Sequence, residues 1–189
     1  MFLFVGLGNP TENYTNTRHN IGFKVIDALR TRFKASHISK PQFFGDLYKI
    51  QNTLFLKPLT YMNISGKSVG AVVNFYKPEE IVVVHDDIVI PFGSVRMKRG
   101  GSDGGHNGLK SIDAYIGADY IRVRLGVGAP KAGQNTADFV LSNFSKEESG
   151  YIAEFVDYAV LICEELLVKS LDEVSGQYTR KKGICIGNG

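Results

Sequence analysis

The residues best suited to chemistry in this chain are His85, Asp86 and Asp87, which follow the apolar run Ile81-Val82-Val83-Val84. A short β-branched run of this kind suits a strand buried on both faces. Side chains just past the carboxyl end of such a strand point into the crevice where open α/β sheets hold ligands. An imidazole beside a carboxylate can move a proton near neutral pH, because free histidine titrates near ~6.5. Asn9 and His19 near the start, Asn63 in the middle, and His106-Asn107 in a glycine-rich segment are candidate partners. Asparagine offers a donor and an acceptor without adding charge. Each has a plain structural reading as well, since a lone histidine at a loop–helix junction caps or packs more often than it reacts.

The elements that must position these groups follow from local patterning. Residues 2–8 predict a first buried strand, closed by Gly6-Leu7-Gly8-Asn9-Pro10, where Pro10 bars further pairing. A polar loop over 11–18 carries Tyr14. Ile21, Val25, Leu29 and Phe33 recur every four residues and predict a helix after His19, with Asn20 as its N-cap. Residues 46–50 and 53–58 predict a hairpin turning at Gln51-Asn52, and a helix is expected over about 65–76. A strand over 94–98 leads into the glycine-rich run from Arg99 to Gly108, too poor in side chains to pack a core of its own. A helix then starts at Asn107 or Gly108. Residues 120–127 alternate as a strand, placing Arg122 and Arg124 on its polar face. One long helix over about 145–168, a short one ending near Tyr178 and a frayed tail over 180–189 complete the expectation. His37 and His85 read as structural, and Asp87 as a capping or loop-stabilising carboxylate. The whole chain, 1–189, predicts a single α/β domain: a twisted mixed β-sheet sandwiched between α-helices.

Composition narrows the function classes. With 189 residues, 43% apolar and 22% charged, the chain has the length for one well-packed domain. No segment approaches the ~20 apolar residues of a membrane span, and the first residues lack a signal-peptide pattern, so a cytoplasmic protein is expected. Cys163 and Cys185 stand far apart without metal-binding spacing, which argues against a structural zinc or a disulfide framework. The net charge of +3 is uninformative, but its distribution is not. Arg96, Lys98 and Arg99 precede the glycine-rich run, Arg122 and Arg124 follow it, and Arg180, Lys181 and Lys182 lie near the end. Such a strip beside a site would suit a polyanion.

Spacing disfavours two nucleotide-binding readings, a dinucleotide fold and a magnesium NTPase built on Gly66-Lys67-Ser68 and Asp86-Asp87. Gly6-Leu7-Gly8 after a first strand invites a dinucleotide fold, yet position 11 is Thr11 and a polar loop follows. Gly66-Lys67-Ser68 resembles the end of a phosphate-binding loop, but Tyr61 stands where that motif requires glycine.

Three segments read together are more specific. They are Gly6-Leu7-Gly8-Asn9-Pro10 with Tyr14 and Thr17-Arg18-His19-Asn20; Pro58-Leu59-Thr60-Tyr61-Met62-Asn63 with Ser65-Gly66; and His85-Asp86-Asp87 with Gly104-Gly105-His106-Asn107-Gly108-Leu109-Lys110. In this order and at these intervals the chain closely resembles bacterial peptidyl-tRNA hydrolase, from residue 1 to about 178. The resemblance implies hydrolysis of the ester joining a peptide to the 3′-terminal ribose of tRNA, by a monomer that uses no metal or organic cofactor and no obligate protein partner. It implies that His19 is the catalytic base and Asp86 its partner, and that Asn9, Asn63 and Asn107 hold substrate and water. Either Asn9 or Asn63 would stabilise the oxyanion. Lys98 and Arg124 match the pair that grips the tRNA 5′-phosphate, Lys110 and the glycine-rich loop border the cleft, and Met62 and Tyr14 match its peptide side. A binder of the same scaffold that has lost catalysis is the competing reading; retention of the base–carboxylate pair argues against it. Thr11, where the family usually has glycine, and Asp103, in a loop usually small or neutral, depart from the pattern.

Overall fold

The computed structural model describes residues 1–184. Seven strands form one mixed sheet: β1 (Phe2–Gly6), β2 (Ser36–His37), β3 (Gly45–Ile50), β4 (Thr53–Pro58), β5 (Glu80–Asp87), β6 (Val95–Arg99) and β7 (Ile121–Gly126). Their order is β2-β3-β4-β1-β5-β7-β6. The four strands β4, β1, β5 and β7 run parallel, and antiparallel pairing is confined to the two edges, β2-β3-β4 on one side and β7-β6 on the other. The central strands β1 and β5 are apolar because both their faces are covered. Phe4, Val82 and Val84 pack into a core with α1 (Ile21–Arg32) and, further along the chain, the residues of 152–166. Leu3, Val5 and Val83 face the opposite layer, built by α2 (Ser65–Tyr76) and α3 (Asn107–Ile116). The remaining helices are α4 (Thr136–Val140), α5 (Lys146–Ser149), α6 (Ile152–Leu166) and α7 (Leu171–Tyr178).

The chain leaves β1 toward one neighbour and returns on β5 beside it, so the loops after these two strands open the crevice expected of such sheets. What brings α1 close enough is Gly22. A methyl group there would lie 2.5 Å from the Val84 carbonyl oxygen and 2.6 Å from the Leu7 nitrogen. The first turn of α1, and the turn bearing His19 before it, therefore rest directly on the ends of β1 and β5.

The hairpin at Gln51-Asn52 and the helix over 65–76 stand where the patterning places them. Several expectations are corrected. The first strand ends at Gly6, and β5 runs on through Asp87, so His85-Asp86-Asp87 lie on the strand and not beyond it. The expected long helix is two: a Ser145–Glu148 capping box starts the short α5, which stops at Ser149, and after the turn at Gly150-Tyr151 a new helix starts at Ile152. Asn20 flanks α1 without capping it; its amide is committed elsewhere. Arg122 does not face solvent on a polar strand face: it is 1% exposed. The first part of the expected tail is docked, with Arg180 bridging to Val95 on the sheet edge, the Ile184 N–H donating to the Phe92 carbonyl and the Arg180 guanidinium 3.8 Å from the centre of the Tyr158 ring. The rest of that tail, with Cys185, lies outside the described residues. No helix among the described residues is long and apolar enough to cross a membrane.

Candidate active site

Asp86 is 1% exposed, and both its oxygens accept from imidazoles. His19 Nδ1 lies 2.8 Å from Oδ2, and His106 Nε2 lies 2.8 Å from Oδ1. Burial alone would push this carboxyl up, but the two imidazoles hold it well below the usual carboxylate range. It is an anion, and each facing nitrogen therefore carries a proton. The two histidines differ in their other nitrogen. Nδ1 of His106 accepts from the Gly108 and Leu109 N–H groups, 3.1 and 3.4 Å away, and so caps α3. Protonating it would break the cap. Nε2 of His19 has no hydrogen-bond partner among the described residues.

Asn9 is fixed on three sides. Its backbone N–H donates to Asn20 Oδ1 (2.8 Å) and its carbonyl accepts from Asn20 Nδ2 (2.9 Å), a reciprocal pair that explains why Asn20 does not cap α1. The Met62 N–H donates to Asn9 Oδ1 at 2.8 Å, which sets the amide orientation and leaves Nδ2 as a donor with no partner among the described residues. Thr11, just beyond, has φ 84° and ψ 150°, a region that favours glycine. Tyr61, with φ 62° and ψ 158°, is held in the same region before Met62, and its ring meets that of Tyr14 edge-on at 6.5 Å.

A cavity of about 610 Å³ opens from the His19–Asp86 pair along the glycine-rich loop. It brings together His19, Asp86, Asn107, Lys98 and Arg124. Asn9, Tyr14, Met62 and Asn63 do not line it; Asn9 is bonded to Met62, whose sulfur packs against Gly108 at the start of α3, and Tyr14 meets Tyr61 just before Met62 in the chain. Met62 is buried, while Asn63, Asn107 and Lys110 are exposed, and the Asn63 and Asn107 side chains make no hydrogen bond among the described residues. Across the cavity, Lys98 on β6 pairs in register with Arg122 on β7. Burial and then the charges of Arg124 and Arg122 push the Lys98 ammonium down. Arg124 binds Asp87 through Nε at 2.7 Å and keeps both Nη groups free of protein partners among the described residues. Asp87 also accepts from the Val89 N–H, consistent with a loop-stabilising role. Asp103 spends its carboxylate on the Gly105 N–H, 2.8 Å away, shaping the loop from within. In Gly66-Lys67-Ser68, at the start of α2, Gly66 and Ser68 are buried, Ser68 is bonded to the Phe43 carbonyl, and none of the three lines the cavity beside Asp86.

His19, Asp86 and His106 also offer three ligand atoms within 4.8 Å of one another, enough to hold a divalent cation if both imidazole protons were displaced. His106, read in the sequence as a candidate partner of the carboxylates, does meet Asp86; its second task, capping α3, was not read, although it stands one residue before the predicted helix start. Asn20 and Arg122 were missed for the opposite reason: an N-cap and a polar strand face are the commoner uses of those positions.

The family model described as peptidyl-tRNA hydrolase matches residues 3–184. Peptidyl-tRNA hydrolase of Sulfurovum sp. strain NBC37-1 is 55% identical over 183 residues, 96% of this chain and 97% of that one. The Campylobacter curvus protein of the same name is 52% identical over 184 residues, covering 97% and 99%. The crystal structure of peptidyl-tRNA hydrolase from Acinetobacter baumannii superposes with a TM-score of 0.88 at 33% identity, covering 96% of each chain. With nearly its whole length matched in sequence and in fold, the chain belongs to the peptidyl-tRNA hydrolase family.

Proposed function

We propose that the chain hydrolyses the ester between a peptide, or an N-blocked aminoacyl group, and the 3′-terminal ribose of tRNA, with His19 activating the water. The observation that carries this is the difference between the histidines on Asp86: both nitrogens of His106 are engaged, while His19 keeps Nε2 free. Nε2 takes a proton from water as its oxygen bonds to the ester carbonyl carbon. Asp86 holds the Nδ1 proton and stabilises the imidazolium that forms. When the tetrahedral intermediate collapses, the C–O bond to the ribose breaks and the 3′ oxygen takes the proton from His19. The products are a peptide acid and a tRNA with a free 3′ hydroxyl. Asn9 Nδ2 is the best-anchored donor for the developing oxyanion, a contact typically worth ~3 kcal/mol. Asn63 and Asn107, exposed and unbonded, contact substrate.

Lys98 and Arg124 hold a phosphate of the acceptor end, which fixes register without reading sequence. Tyr14 and Met62 flank the peptide. The protein works as a cytoplasmic monomer without metal. The test is release of tRNA from N-blocked aminoacyl-tRNA in excess EDTA. Rapid release is expected; binding without release would leave a non-catalytic RNA binder, and release abolished by EDTA would make the His19, Asp86 and His106 cluster a cation site.

A further inference from the structure

Arg122 is the largest fully buried side chain among the described residues, and the reaction just described gives it no task. A buried guanidinium is costly unless its charge is met. One carboxylate approaches it, Asp113, at 3.6 Å, and that group already accepts from the Tyr120 hydroxyl at 2.7 Å. The guanidinium carbon lies 4.9 Å from the centre of the Tyr120 ring. Its closest partners are two consecutive backbone carbonyls: Nη1 donates to Ser102 and Nη2 to Gly101, the latter at 2.9 Å. Consecutive carbonyls usually point apart in extended chain. Here Gly100 and Gly101, with φ of +67° and +102°, turn the chain so that both reach one guanidinium.

From that anchor the loop is short and determined. The Asp103 carboxylate takes the Gly105 N–H and the Asp103 carbonyl takes the His106 N–H at 2.9 Å, delivering His106 to Asp86. The anchor also bears on the cationic wall, because the Lys98 ammonium packs against Gly101. We infer that Arg122 is a positioning residue: its planar fork pins the base of the glycine-rich loop so that His106 is held on Asp86 and Lys98 beside it. The kinetic consequence rests on the proposed hydrolysis; the placement of His106 does not. A lysine at this position would keep the charge but present a point donor where a flat, forked one is needed.

The test compares wild type, Arg122→Lys and Gly100→Ala by hydrolysis of N-blocked aminoacyl-tRNA and by NMR of ¹⁵N-labelled imidazoles. Gly100→Ala leaves the guanidinium in place and opposes the backbone turn at φ +67° without crowding Lys98, so it decides the matter if Arg122→Lys does not fold. In wild type, His106 should show a single tautomer with a slowly exchanging Nε2 proton. Both variants should lose that signature and lower kcat by ~10-fold or more with a smaller change in KM, since small misplacements of reacting groups cost heavily. An intact His106 signature in a folded Arg122→Lys, or a loss confined to KM, would overturn the proposal. If wild type itself releases no tRNA, the hydrolytic reading fails, and the imidazole spectra still decide the role of Arg122.

Discussion

Replacing His85 with glutamine should make the protein less sensitive to mild acid. His85 is 3% exposed, its Nδ1–H donates to the Asp86 carbonyl at 2.8 Å, and its Nε2 is buried with no partner among the described residues. Burial first, and the neighbouring His106 second, push this imidazole down to about 3. In the unfolded chain a histidine binds its proton near ~6.5. Because the folded value is the lower one, the unfolded state takes up the proton first, and stability is full above pH ~6.5 and falls as the pH drops toward 3. Between pH 7 and pH 5 the unfolded chain gains about 1.5 pH units of preferential protonation, or ~2 kcal/mol at 1.36 kcal/mol per unit. Urea unfolding of wild type and His85→Gln at the two pH values measures it directly. The other histidines are common to both proteins, so the variant should lose ~2 kcal/mol less than wild type on acidification, whatever its stability at pH 7. Equal losses would mean that His85 is not held neutral by burial, and the packing assigned to it beside His106 would be wrong.

Three further outcomes are expected. Thr11→Gly should stabilise the protein by about 1 kcal/mol, relief of a φ of 84° outweighing the added freedom of glycine in the unfolded chain, and raise Tm by ~2–4 °C; a lower Tm would show the Thr11 backbone to be unstrained. Lys98→Met should raise KM for tRNA substrates, leave kcat nearly unchanged and reduce the salt slope of binding by about one; a slope identical to wild type would remove Lys98 from the phosphate contacts. Asp86→Asn should lower kcat by ~10³- to 10⁴-fold, because an amide can offer its N–H to one imidazole and upsets the tautomer of His19; a loss of less than tenfold would break the proposed coupling.

Much of this architecture is legible locally. The four-residue apolar spacing from Ile21 and the β-branched run at Ile81–Val84 report burial on one helix face and on two strand faces, and the elements stand close to where those periods place them. Asp86 stands out because a polar cluster at the end of a buried strand has few structural uses, whereas His19, a lone histidine at a loop–helix junction, drew its expected role from the family resemblance alone. What escaped is what depends on a distant segment. Arg122 has the right strand period, but its burial comes from the glycine-rich loop folding over it from residues 101 and 102. Asn20 has the right type for a cap, yet Asn9, brought alongside by the close approach at Gly22, claims its amide. The break at Gly150-Tyr151 was passed over although Lys146–Ser149 is wholly polar and the apolar face starts only with α6; the lone Gly150 between them was the available sign.

The most direct test of the central claim is single-turnover hydrolysis of N-blocked aminoacyl-tRNA by His19→Ala beside wild type, with tRNA affinity measured on the same proteins. Loss of the free Nε2 base should lower the rate by ~10²- to 10⁴-fold while affinity stays within a few-fold. A rate that survives the substitution would contradict the account and place the base elsewhere on the Asp86 network.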